Sequence, residues 1–442
     1  MFALVDGNNF FASCHRCFAP ELEGKPLVVL SSNDGACIAR SNEAKDLGVK
    51  MAQPWFQVKH LERTAGLKAV SANHELYADM SARMMAIEAR YAPRQMVYSV
   101  DESFLDFEGV TVDLVATGRD MRAAILRETG LPTSVGFGPT MTLAKLANHI
   151  AKTADRKPGS YPAHVAQVCN LGDMTQPELN ELFAATEVGN VWGVGRKIGE
   201  RLRAAGVQTV HDLVRANIAT LRSQFSVVLA KTVEELKGVP CLDLDEAPAP
   251  RQQILVSRSF GVPVMTVEGI IEAASEFASR AAERLRQQAS VAGAIGIFFS
   301  TSPFRQDRQH NVNVTVPLAR PTDDTAVLLD AVSRAVRAQF RPGFRYAKAG
   351  AILTDLQPAG QAQGELDLFS DASQPASQAT EARARLMAAM DGLNNRFGRD
   401  SLRLGATVAA SQGAPVPVWA TKQDRRTPRY TTRWDEMLVV KC

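Results

Sequence analysis

The chain has 442 residues, 45% hydrophobic and 22% charged, which is enough for a sizeable core and too long for one ordinary domain, so three or four domains are expected. A formal net charge of +3 does not by itself announce a nucleic-acid partner, but acidic residues slightly outnumber basic ones over 1–250 and the reverse holds over 251–442, which suggests chemistry in one part and phosphate binding in another. Six scattered cysteines do not make a disulfide framework and fit a reducing cytoplasm, and without a basic lead-in, a cleavage site or an apolar run of membrane length neither a signal peptide nor a membrane span is expected.

In chain order, Phe2–Val5 reads as a short buried strand and Leu27–Leu30 as a second, set between Gly24-Lys-Pro26 and Ser31-Ser-Asn-Asp-Gly35. A helical turn is expected over Asn42–Lys45, ended by Gly48, and an amphipathic helix over Glu75–Tyr91, stopped by Pro93. The runs Gln95–Val100 and Ser103–Phe107 predict a hairpin with Asp101-Glu102 at its bend. A helix follows over Leu114–Glu128, then a strand over Thr133–Gly138 and a helix over Met141–Lys152 with Thr140 as N-cap. The sum is a mixed sheet with helices packed on it. Helix-rich material fills 165–237, and Ala247-Pro-Ala-Pro250 reads as a linker. Beyond it, a helix over Val267–Gln288, strands over Gly293–Ser300 and Asn311–Val316, a helix over Thr325–Phe340 and a strand over Lys348–Leu356 predict an αββαβ domain. Residues 357–380 are rich in Gln, Ala, Ser and Pro, a composition expected to be flexible, and a last helix over Thr380–Phe397 precedes a basic tail.

Asp6 ends one apolar strand and Asp101-Glu102 stand where another turns, so all three acids are placed to emerge at one sheet edge. Neighbouring carboxylates repel one another unless a cation neutralises them, and a pair of magnesium ions is the usual device for in-line phosphoryl displacement. From spacing alone, a metal site and a plain solvated turn stand equally open.

Three motifs change the balance: Asp6-Gly-Asn-Asn-Phe-Phe-Ala-Ser13, Ser31-Ser-Asn-Asp-Gly35 with Ala39-Arg-Ser-Asn-Glu-Ala-Lys45, and Tyr98-Ser-Val-Asp-Glu-Ser-Phe104. They resemble the Y-family of lesion-bypass DNA polymerases, in the branch of the bacterial DNA polymerase V catalytic subunit (UmuC type, including plasmid-borne relatives), and the resemblance runs from Met1 to the Arg429–Arg433 tail. It implies an α+β multidomain protein shaped as a right-hand polymerase. The palm would be 1–20 and 75–165, small fingers 21–74, a helical thumb with a helix-hairpin-helix 166–240, a linker 241–250 and an α+β little finger 251–356. A flexible segment with a clamp-binding peptide would span 357–380 and a C-terminal partner-binding region 381–442.

The implied activity is error-prone, template-directed DNA synthesis across damage in the SOS response by a cytoplasmic DNA-directed DNA polymerase. The alternative is a non-catalytic DNA-binding or scaffold subunit of a repair complex. Carried over by position, Asp6, Asp101 and Glu102 are catalytic and, with the Gly7 carbonyl, hold two Mg2+ ions. Phe11 is the steric gate beneath the sugar, and Phe10, Asn42, Lys45 and Lys152 join it as nucleotide contacts, the lysines facing the triphosphate. Val191-Trp-Gly-Val-Gly195 before Arg196-Lys197 looks like a helix-hairpin-helix, in which Gly193, Val194, Gly195 and Lys197 grip a phosphate, joined by Arg258 farther along. Glu365, Leu366, Asp367, Leu368 and Phe369 resemble a peptide that docks on the sliding clamp, with Glu365 where Gln is common. The resemblance further implies primer-template DNA and deoxynucleoside triphosphates as substrates, and a cleaved UmuD-type accessory dimer and a recombinase filament as partners.

Overall fold

An apolar strand, β1 (Phe2–Gly7), opens the chain and leads through Asn8 and Asn9 into α1 (Phe10–Phe18). In the computed structural model, which describes residues 1–244, 250–359, 376–398, 401–405, 417 and 419–439, the next elements form a small layer of their own. These are β2 (Leu27–Leu30), β3 (Cys37–Arg40), α2 (Asn42–Asp46), α3 (Trp55–Val58), α4 (Leu61–Thr64) and β4 (Lys68–Ser71). Only β2 announces itself by a continuous apolar run. Its partners β3 and β4 are half-buried strands of four residues, one antiparallel and one parallel to it, too short and too mixed for a periodicity signal.

Next come α5 (His74–Glu88), capped by the Asn73 side chain, the hairpin β5 (Arg94–Val97) and β6 (Glu102–Asp106), α6 (Leu114–Thr129), β7 (Thr133–Gly138), α7 (Met141–Arg156), capped by Thr140, and β8 (Val168–Asn170). They complete a mixed five-stranded sheet of order β5-β6-β1-β7-β8, in which only β7 and β8 run parallel. Side chains alternate across it. Ala3, Val5 and Leu105 bury one face against α1, α5 and α6, while Leu4 and Phe104 pack on the other against Met141 and Ala144 of α7. Period two therefore sends Asp6 and Glu102 to the α7 side. The bend expected to carry both acids holds only Asp101, because Glu102 is already the first residue of β6, paired with Asp6.

The seat of α7 on this sheet is unusually close, and glycine is the reason. A Cβ at Gly136 would stand 2.0 Å from the Asn148 nitrogen, and one at Gly138 2.7 Å from the Ala144 nitrogen. Asn148 then locks the contact, its amide donating to the carbonyls of Leu4 (3.2 Å) and Ser134 (2.7 Å). On its far side α7 meets a helical cluster of α8 (Gln176–Ala185), α9 (Arg196–Ala204), α10 (Val210–Arg215), α11 (Ile218–Gln224) and α12 (Val227–Leu236), through Leu143, Leu146, Ala147 and Ile150. The buried Glu235 of α12 accepts the Thr142 N–H at the start of α7 and the N–H groups of Cys241 and Leu242, so a desolvated carboxylate is satisfied by three donors.

The chain divides into two compact units, residues 1–248 with 424–442, and residues 249–423. The second unit contains β9 (Ile254–Val264), α13 (Val267–Gln287), β10 (Ser290–Thr301), β11 (Asn311–Thr322), α14 (Thr325–Gln339), β12 (Tyr346–Pro358) and α15 (Ala376–Phe397). Its order is βαββαβ rather than αββαβ. Strand β9 escaped the sequence pattern because Arg258, Gly261 and Pro263 interrupt its apolar positions, yet it pairs along β12 at the edge of an antiparallel sheet of order β11-β10-β12-β9. Helices α13 and α14 cover one face with Ile270, Phe277, Leu285, Leu328 and Val332.

Residues 424–436 return to the first unit as a strap. The Arg425 carbonyl accepts from the Ser71 N–H (2.9 Å), and its guanidinium reaches Glu62 while lying 5.3 Å over the Trp55 ring. Asn73 donates to Thr427 Oγ1 (3.2 Å) and the Pro428 carbonyl (3.1 Å), and Tyr430 stacks on Phe18 at 4.9 Å. Within the strap Arg426, Arg429 and Arg433 pair with Glu75, Glu436 and Asp435.

The glycine seat yields a test. Gly136→Ala forces backbone against backbone and is expected to destabilise the first unit by more than about 3 kcal/mol, or to prevent folding, as overpacking without room to relax does. Denaturant melts that put Gly136→Ala within about 0.5 kcal/mol of the parent, the range of an ordinary surface change, would contradict this account of the contact.

Candidate active site

Because β1 and β6 run antiparallel with Asp6 opposite Glu102, and the Gly7 N–H donates to the Asp101 carbonyl (2.8 Å), the three acids are fixed by backbone pairing. Asp101 is further oriented by Ser99, whose hydroxyl donates to its carboxylate at 2.7 Å. Gly7 ends β1 opposite Thr133, and a Cβ there would stand 2.9 Å from the Phe10 ring. Asp106, at the other end of β6, is held by Arg94 and lies away from this group.

Two lysines of α7, seven residues apart and therefore on one helix face, meet the acids: Lys152 Nζ is 2.6 Å from Asp6, and Lys145 Nζ is 2.7 Å from Glu102. Lys145 also lies over the Tyr98 ring at 4.5 Å. Lys152, expected from the sequence to face a triphosphate, here meets Asp6. Lys145 was not singled out, although its heptad spacing from Lys152 was a usable signal. Among the described residues, no three His, Cys, Asp or Glu side chains converge closely enough to hold a metal ion, and the ammonium groups occupy the carboxylates instead. Burial nevertheless pushes the Asp6 carboxyl up to about 6, with Lys152 opposing and Glu102 and Asp101 adding to the rise. An all-oxygen donor set suits a hard divalent cation.

The aromatic pair divides. Phe10 is 3% exposed and its ring belongs to the core cluster under β1. Phe11 is half-buried and stacked on Tyr77 of α5, with centroids 4.1 Å apart and planes at 13°, while His74 meets it edge-on. Tyr77 is itself fixed, its hydroxyl 2.7 Å from His15 Nε2. Sequence reading missed this support, since Tyr77 lies 66 residues beyond Phe11 on a helix whose other residues are ordinary core.

Beside the acids opens a cleft of about 510 Å3, lined by Asn9, Asn42, Lys45, His149, Lys152, Arg156 and Lys157 among others. Asn42 and Lys45 stand on α2, capped by Ser41, and Lys152, Arg156 and His149 come from α7. Burial, and the nearby Arg156, Lys152 and Arg40, hold the Lys45 ammonium down to about 8. The cleft is thus a concave, cation-rich surface next to three acids, a layout suited to a polyphosphate with its reactive end at the carboxylates.

The turn before α9 carries Gly193 at φ 83°, buried Val194 and, as the helix N-cap, Gly195, with no side chain capping the first N–H groups. Lys197 is exposed on the first turn. Trp192 is packed against Tyr98 and Phe104, its indole N–H donating to the Tyr98 hydroxyl at 3.2 Å, so this turn is anchored to the sheet that carries the acids. Arg258 lies on β9, opposite Ala349. The expected clamp peptide, Glu365 to Phe369, falls outside the described residues.

Residues 5–149 match the impB/mucB/samB family, residues 251–366 its C-terminal domain, and residues 384–440 a domain of unknown function. The chain is 40% identical to Protein UmuC of Salmonella typhimurium over the whole of both chains, and 39% identical to Protein MucB of Escherichia coli over 98% of each. It is 23% identical to DNA polymerase IV 1 of Bacillus subtilis over 91% of this chain and 92% of that one. Among solved structures, a chimaeric Y-family DNA polymerase of Dbh and Dpo4 aligns with a TM-score of 0.60, covering 81% of this chain and all of its own at 19% identity, a likeness of fold.

One further acid lies beneath the site. Glu88 is fully buried against Ser103 and Gln95, and burial pushes its carboxyl up to about 8, with Asp6 adding to the rise. Its Oε1 has no hydrogen-bond partner among the described residues, as suits a neutral acid. A carboxyl whose folded value lies above its unfolded one, 4.5, binds its proton more tightly when folded, so its contribution is lost as pH rises from about 4.5 through 8. Glu88→Gln is therefore expected to raise the thermal midpoint above that of the parent at pH 8.5, and to change it less at pH 5.5. Equal differences at the two pH values would show that Glu88 does not titrate in this window.

Proposed function

The chain belongs to the impB/mucB/samB family and has the fold of the Y-family DNA polymerases, and from that premise we propose that Asp6, Asp101 and Glu102 hold two Mg2+ ions for nucleotidyl transfer. The protein is an error-prone, DNA-directed DNA polymerase of translesion synthesis. The observation that carries the assignment of its acids is the β1–β6 register, which sets Asp6 against Glu102 beside Asp101, at the edge of a cationic cleft.

Bound at these acids, the divalent ions supply Lewis-acid stabilisation of the attacking and departing oxygens. With such an ion bound, Asp6 and Glu102 would hold it in place of Lys152 and Lys145, which would leave both ammonium groups free for the triphosphate. Lys152 then joins Lys45 opposite the triphosphate, with Asn42 beside them. Phe11, held flat on Tyr77, presents its ring to the sugar and excludes a 2′-hydroxyl by contact. The N–H groups at Gly193 to Gly195 and the Lys197 side chain hold a phosphate of the DNA backbone without reading sequence. Arg258 adds a contact from the second unit's own sheet. The segment Glu365 to Phe369 docks on the sliding clamp, and a cleaved UmuD-type dimer and a recombinase filament complete the assembly in the cytoplasm.

Primer extension with Mg2+ on undamaged and abasic templates tests this. Asp101→Ala and Glu102→Ala, with folding checked by circular dichroism, are expected to lose at least about a hundredfold in rate, the scale of removing one electrostatic stabiliser of a transition state. Extension equal to the parent would remove the acids from catalysis. Adding the accessory dimer, the filament and the clamp singly is expected to raise lesion bypass, and a partner without effect on rate or binding is struck from the assembly.

A further inference from the structure

Asn9 is the N-cap of α1, yet it does not cap. An asparagine there ordinarily turns its side-chain oxygen onto an N–H of the first helical turn. Here no side-chain cap bond forms, and the backbone sits in the left-handed region at φ 49°, ψ 39°. The amide faces the cleft instead. Its Oδ1 accepts from Lys45 Nζ and its Nδ2 donates to Asn42 Oδ1 at 3.1 Å, while Asn42 Oδ1 also receives Lys45 at 3.4 Å. The three side chains close a ring between the turn after β1 and α2. Both the forgone cap and the left-handed backbone disfavour this arrangement locally, and such costs collect where a geometry serves function.

Lys45 needs holding. It is half-buried, and the charges that act on it most are the cations Arg156, Lys152 and Arg40, with Asp6 a weaker counterweight. Left alone, a flexible ammonium would swing away to water, where it is better solvated and less repelled. A carboxylate in place of Asn9 would fix it but cancel the charge that a polyphosphate must meet. A neutral amide oxygen fixes the ammonium and leaves its charge intact.

We propose that Asn9 is a positioning residue that holds the Lys45 ammonium, still charged, towards the triphosphate of the incoming nucleotide. The inference rests on the reading of Lys45 as a triphosphate contact. Asn9 touches neither reacting atoms nor metal ligands in this role, and it acts through Lys45.

Single-nucleotide insertion by the full chain on primer-template DNA, with Mg2+, separates the possibilities. Asn9→Gly removes the amide while keeping the left-handed backbone cheap. It is expected to raise KM for the deoxynucleotide by about fivefold to tenfold, the worth of one hydrogen bond of ordinary strength, with kcat within about threefold. In a Lys45→Ala background the same change is expected to alter KM by less than about twofold, since neighbours acting through one contact are not additive. An equal KM effect in both backgrounds overturns the inference, because Asn9 then acts other than through Lys45. Parent-like KM in Asn9→Gly, with KM raised in Lys45→Ala, overturns it while leaving Lys45 in place. Parent-like KM in Lys45→Ala removes the underlying reading and the inference with it. Asn9→Asp supplies a second measurement should Asn9→Gly fold poorly. Its carboxylate, paired with the ammonium, is expected to raise KM at pH 7 and to move the alkaline rise of KM to higher pH than in the parent. An alkaline rise that stays where the parent has it shows that this side chain does not meet Lys45, and overturns the inference.

Discussion

The approach of α7 to β7 governs the rest of the first unit. Gly136 and Gly138 leave no Cβ between helix and sheet, and Asn148 bonds two strand carbonyls across the gap. A helix seated that closely places residues seven apart on one line above the sheet. Lys145 and Lys152 therefore meet Glu102 and Asp6, and Arg156, one turn on, reaches Asp46 after α2 has presented Lys45. The same helix packs Leu143, Leu146 and Ile150 into the helical cluster, so the acid edge and the turn at Gly193 share one rigid support.

Charge in the site is arranged in acid–ammonium pairs. Each of the two strand-borne acids has an ammonium partner, and Asp6 is desolvated enough that one lysine does not return its carboxyl to the ordinary range. A partly buried pair of this kind contributes little net stability, because desolvation offsets attraction. In the proposed reaction a divalent cation would take the place of the lysines at the acids, and a polyanion the place of the acids at the lysines. Asn9 fits the same scheme as the neutral group that orients a cation without consuming it.

The strap adds a constraint of another kind. It joins Trp55, Glu62 and Ser71 of the small layer to Asn73, Glu75 and Phe18 of the elements on the main sheet. Asn73 is also the cap of α5, the helix that supplies Tyr77 beneath Phe11. The segment matched to a domain of unknown function therefore supports, through one asparagine, the ring assigned to the sugar.

The residue pattern alone determined the local elements with strong signals: the apolar strands β1 and β2, the hairpin at Asp101-Glu102, and helices with clear caps such as α7. Its motifs determined the family, and hence the chemistry expected of Asp6, Asp101 and Glu102. Local pattern could not reveal β9, whose apolar face is broken by Arg258, Gly261 and Pro263, nor the short partners β3 and β4, which are held by pairing rather than propensity. Nor could it join Lys145 to Glu102, Asn9 to Lys45, Phe11 to Tyr77 or Asn73 to Thr427. Those contacts span from 36 to 354 residues of chain, and only tertiary structure decides them: glycine lets α7 reach the sheet, α2 and α5 bring Lys45 and Tyr77 to the start of α1, and the chain end folds back on Asn73.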